Sequence, residues 1–167
     1  LEKLLSPHGR IYITSERTLP VQLQKYSLKI NKNDIAHYIA FASIFIGDST
    51  TMSTEAAVLG TPSVEFDEYF YEIEQMAELE NKYKLIHCFR TNQQQEMLRK
   101  ISELLATPNL EEAYANRRQK LLDDTIDVSS FLIWLYENYP SSADTYLKNP
   151  DIQNKFTFND DIDGANV

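Results

Sequence analysis

The chain has 167 residues, which sets an expectation of one domain, and its 43% apolar and 25% charged content is that of an ordinary folded protein able to bury a core. A formal net charge of -9 argues against a nucleic-acid surface, because neutralising phosphates needs clustered Lys and Arg, but it leaves room for a nucleotide held by backbone amides. One cysteine, Cys88, excludes an internal disulfide and a cysteine-based metal cluster.

No apolar run approaches the ~18 residues needed to cross a bilayer. The opening Leu1-Glu2-Lys3-Leu4-Leu5 has no basic segment followed by an apolar one, so no transmembrane segment or secretory signal is expected and the reading is cytoplasmic. No metal site is arguable from the residues, and no cofactor is implied.

In chain order, Ile11-Tyr12-Ile13-Thr14 reads as a first strand after Gly9, and Ser27-Leu28-Lys29-Ile30 as a second. A helix is expected over 34–42, capped by Asn33 or Asp34. Ile44-Phe45-Ile46 is continuously apolar, the pattern of a parallel strand covered on both faces. A small-residue helix from Met52 to Leu59 closes at Gly60; Pro62 to Phe66 and Leu85 to Phe89 read as fourth and fifth strands. Helices are expected over 71–83, 93–105, 111–124 and 128–139, the second with a one-sided stripe of Met97, Leu98, Ile101, Leu104 and Leu105. Strands alternating with helices predict βαβ units and a mostly parallel sheet flanked by helices. After Pro140 the chain turns polar, and residues 141–167 are expected to form a tail that becomes disordered from about Asp151.

The stretch that carries chemistry runs from Phe45 to Pro62. It is a buried strand, a turn of small hydroxyl residues and a helix. In an open parallel sheet the ligand crevice lies at the carboxyl ends of the strands, where the unpaired N–H groups of the next helix point. Ser49, Thr50 and Thr51 therefore make a turn suited to a diphosphate, and Glu55, one turn on, could accept from a ribose diol. Glu55 does not fit a capping box, since Met52 stands three residues before it. The plainer alternatives are an ordinary helix cap for Ser49 to Thr51 and a solvated carboxylate favoured by the helix dipole for Glu55.

Gly47 to Pro62 resembles the signature of the C-terminal domain of UDP-N-acetylglucosamine 2-epimerase and its glycosyltransferase-B relatives. That pattern, Asp-Ser-Gly-Gly, then Glu-Ala, then Leu-Gly-x-Pro, overlays without a gap on Asp48-Ser49-Thr50-Thr51, Glu55-Ala56 and Leu59-Gly60-Thr61-Pro62. The run Glu-Ala-Ala-Val-Leu-Gly-Thr-Pro is closer still to an uncharacterised prokaryotic family of that superfamily. The resemblance extends more loosely from Arg10 to about Phe89. It implies a Rossmann-like nucleotide-sugar-binding domain over 1–140, the C-terminal half of a glycosyltransferase-B fold without its first strand. Ser49, Thr50 and Thr51 would lie against the diphosphate and Glu55 against the ribose.

The implied partners are UDP or a UDP-sugar and an N-terminal domain of the same polypeptide, absent here, which would supply the acceptor site. The chain is accordingly expected to be a fragment, inactive alone, of a glycosyltransferase or sugar epimerase in surface polysaccharide biosynthesis. Where the pattern has two glycines this chain has Thr50 and Thr51, β-branched residues that resist close backbone approach. The alternative is thus a non-catalytic interaction domain that keeps the fold and has lost the phosphate site.

Asp48, Asp67 and Glu72 are further crevice residues, the last two in the acidic-aromatic run after the fourth strand, whose plainer reading is a solvated loop. His37 and His87 invite a catalytic role, but a structural histidine is the commoner outcome. Cys88 reads as a small core residue and Trp134 as core packing.

Overall fold

In the computed structural model, which describes residues 1–158, three of the apolar segments pair as a parallel sheet. The strands β1 (Phe45–Gly47), β2 (Ser63–Phe66) and β3 (Ile86–Phe89) lie in the order β1-β2-β3. Chain contacts divide the protein into two units between Arg117 and Arg118.

The first unit holds the helices α1 (Glu2–Leu5), α2 (Ile35–Ala40), α3 (Thr50–Leu59), α4 (Glu74–Asn81) and α5 (Gln94–Ala106), and the start of α6 (Leu110–Asp123). Parallel neighbours need a crossover, and α3 and α4 supply the two here. The register sets Gly47 beside Glu65 and Glu65 beside Cys88, while Ile46, Val64 and His87 share the other face. On the first face Ser53 of α3 bonds to Glu65; on the second His87 meets Tyr114 of α6. The core comprises Val64, Leu85, Ile86, Ile101 and Tyr114, all fully buried, with Met76 and Leu79 of α4. The architecture is therefore α/β, a small parallel sheet flanked by helices and compatible with a Rossmann-like layout.

Small residues let α3 lie close to the sheet. Ser53, Ala56 and Ala57 are fully buried along its inner face. Gly60 ends the helix at φ 84°, a left-handed conformation that glycine adopts without a Cβ clash. The amides of Gly60 and Thr61 donate back to Ala57 at 3.0 Å and Ala56 at 2.8 Å, satisfying the last carbonyls.

Two expected strands do not join this sheet. Around Ile11 to Thr14 and Ser27 to Ile30 the structure has one isolated parallel bridge, Ile13 with Ser27, preceded by a 3-10 turn over Val21–Tyr26. The physical reason is cover: every described side chain from Arg10 to Asn31 is exposed or half-buried, whereas a parallel strand persists when both of its faces are packed. The helix expected over 71–83 is also split. A 3-10 turn, Phe70–Glu72, is followed by an extended Ile73 before α4 begins.

In the second unit, α7 (Val128–Glu137) is capped by Asp127, whose carboxylate accepts from the Ser130 amide at 3.1 Å and its hydroxyl at 2.6 Å. Next come α8 (Ser141–Lys148) and a 3-10 helix over Pro150–Lys155. The irregular tail expected from about Asp151 is thus corrected for residues 151–155; residues 159–167 lie outside those described. An aromatic cluster explains the difference. The Phe131 ring sits 5.9 Å from Trp134, 5.4 Å from Tyr146 and 5.6 Å from Phe156, centroid to centroid.

Candidate functional site

The carboxyl edge of the sheet is where β1 gives way to α3. Ser49 takes an extended backbone at φ -112° and ψ 105° and caps the helix, its hydroxyl accepting from the Met52 amide at a long 3.5 Å. The Ser53 amide bonds to the Ser49 carbonyl at 2.9 Å. This leaves the amides of Thr50 and Thr51, the first two of the helix, without a protein partner among the described residues. Ser49 and Thr50 are half-buried; Asp48 and Thr51 are exposed.

Asp67 follows β2 at the same edge, its amide donating to the Phe89 carbonyl at 3.2 Å and its carboxylate accepting from the Tyr69 amide at 3.1 Å. Asp48, Ser49, Thr50 and Asp67 therefore gather at one end of the sheet. Glu55 lies elsewhere on α3: with Thr51 and Val58 it forms the outward stripe, at i, i+4 and i+7. Glu72 is an exposed residue of the 3-10 turn, and no hydrogen bond ties it to the first turn of α3 among the described residues.

One residue of the site was missed by sequence reasoning. Glu65, in the middle of β2, is fully buried. One carboxyl oxygen, Oε2, accepts a hydrogen bond from the Ser53 hydroxyl in α3. The other, Oε1, has no hydrogen-bond partner among the described residues, and neither has the Ser63 hydroxyl two positions earlier on the same face. Burial raises the Glu65 carboxyl above the usual range; the Ser53 bond opposes this, and the negative charges of Asp67 and Asp48 add to the rise. A strand covered on both faces buries polar and apolar positions alike, and that cover comes from segments far apart in the sequence.

The histidines divide. His37 is exposed on α2, not the packed structural histidine that is the commoner outcome. His87 is half-buried, 2.9 Å from the Tyr114 hydroxyl. Burial, with Lys100, Arg117 and Lys84 nearby, pushes its pKa down to about 4, against the pull of Glu103. It is a neutral imidazole on the opposite face of the sheet from Glu65, in register with Val64. Cys88 is no nucleophile: burial raises its thiol strongly, with Glu80 and Glu65 adding to the shift. Glu80 itself accepts from the Cys88 amide at 2.7 Å, and burial raises its carboxyl too.

Among the described residues no group of three or more His, Cys, Asp or Glu could hold a metal ion, and no helix is long and apolar enough to cross a membrane. No family model, curated protein or solved structure matches the chain.

Proposed function

We propose that this chain is the nucleotide-sugar-binding half of a glycosyltransferase-B-like glycosyltransferase or sugar epimerase of surface polysaccharide biosynthesis, with UDP the nucleotide. The observation that carries the reading is the first turn of α3. Two helix amides without a protein partner and two hydroxyl side chains open at the carboxyl edge of a parallel sheet, where a helix N-terminus stabilises negative charge. Ser49, Thr50 and Thr51 hold the diphosphate, and stabilising it as it departs is the chemistry the turn contributes. Glu55, on the outward stripe, reaches a ribose that lies along the helix rather than between helix and sheet. A second domain of the same polypeptide supplies the acceptor.

A calorimetric titration of UDP and UDP-sugars into the protein tests this, with Thr50→Pro as the control. Thr50 is the first helical residue, where proline is tolerated, and the extended Ser49 before it suits a following proline. The substitution therefore removes one phosphate-facing amide and leaves the helix standing. Micromolar binding that the variant weakens supports the reading; no binding by the folded protein overturns it. A second reading, a non-catalytic interaction domain, is favoured by one observation: Asp48 and Asp67 stand where a diphosphate would, close enough to oppose ionisation of Glu65.

A further inference from the structure

The geometry points to the buried Glu65 carboxyl as a positioning residue of the anion site at the start of α3, so that a negative charge on it weakens binding of an anion there. This rests on the diphosphate reading above and adds a residue to it.

Three contacts define the relationship. The Glu65 carboxyl grips the first turn of α3 through Ser53, four residues after the Ser49 cap. Its cross-strand neighbour is Gly47, the residue immediately before the Asp48 to Thr50 turn. The ring of Phe45 folds over Gly47, so close that a Cβ there would come within 2.8 Å of it. Aromatic carbon thus lies at the end of the sheet where solvent would otherwise relieve a charge. A fully buried carboxyl with one bonded oxygen and one without a partner is stable there as the neutral acid.

A neutral Glu65 leaves the positive end of α3 unopposed. An ionised one sets a negative charge behind the same turn, against any phosphate in front of it. The charged groups around Glu65 work against its ionisation: Asp48 after β1 and Asp67 after β2, with the neutral Cys88 thiol on β3 and Glu80 of α4 behind it; the Ser53 bond alone favours it. From α3 the approach is by the uncharged Ser53 hydroxyl.

The test is affinity for UDP-glucose as a function of pH. Its diphosphate is a diester of constant charge and its uracil N–H stays protonated up to about pH 8, so below that a pH effect belongs to the protein. As the pH rises from about 5 to about 8, the affinity of the unaltered protein is expected to fall, by up to about tenfold, with ionisation of Glu65. Glu65→Gln, neutral at every pH and nearly the same shape, should bind as the protein does at low pH and give a flat profile. Ser53→Ala removes the bond that lowers the Glu65 pKa, so its profile should keep the fall but shift it to higher pH. Glu80→Gln should keep the unaltered profile. Binding that is flat in the unaltered protein, or a pH fall that survives in Glu65→Gln, overturns the inference while leaving the diphosphate site standing. No binding at any pH overturns both.

Discussion

The Thr61 hydroxyl donates to the backbone carbonyl of Ile39 at 2.7 Å, in a buried position. Thr61 follows the glycine that ends α3, and Ile39 belongs to the last turn of α2, so one hydrogen bond fastens the ends of two helices. Thr61→Val keeps the volume and removes this bond, while the carbonyl keeps the Ala42 amide at 3.0 Å. A loss of about 0.5–1.5 kcal/mol is expected in urea unfolding.

Gly60 should be similarly intolerant. At φ 84° any side chain is strained, whatever space surrounds it. Gly60→Ala is expected to cost roughly 1–2 kcal/mol by the same measurement, and to loosen the helix end without changing its start.

Acid should weaken the first unit through His87. Its pKa in the fold is about 4, below the ~6.5 of a free imidazole, so the unfolded chain takes up a proton before the folded one does. The stability that neutral His87 contributes is complete above about pH 6.5 and is lost as the pH falls towards about 4, to a total of up to about 3 kcal/mol. A thermal unfolding series over that window should show the slope, and His87→Gln should reduce it.

The second unit offers a fluorescence test. Trp134, the protein's one tryptophan, packs 5.5 Å from Phe156. Phe156→Ala is expected to destabilise the unit by roughly 2 kcal/mol and to bring the tryptophan transition to lower denaturant. If Trp134 emission and unfolding are unchanged, the 3-10 segment over 150–155 contributes nothing to this cluster.

How far the sequence is readable depends on which force decides each segment. Ile44 to Ile46, the stripe of α5 and the glycine after α3 are decided locally, by apolar runs, helical period and a left-handed residue, and each stands where it was expected. Ile11 to Thr14 has the same local pattern as a strand but lacks anything to cover it, and cover is a tertiary property. The turn from Asp48 to Thr51 was legible because strand, cap and helix are contiguous. Glu65 was not, because its burial arises from three strands and a helix that the sequence lists far apart. Phe156 was hidden by its polar neighbours, Asn154, Lys155 and Thr157 among them.

The amide of Asp127 donates to the carbonyl of Phe156 at 2.7 Å. The same residue caps the first turn of α7 with its side chain, so the segment from Asp127 to Phe156 is fastened at its own two ends. Its entry and exit lie side by side, the arrangement found in modules that can be transplanted or inserted into another chain with little disturbance to either. A linker joining positions 126 and 157 would need to span no more than the width of one backbone pairing, and a circularly permuted version opened between α7 and α8 is a realistic engineering target.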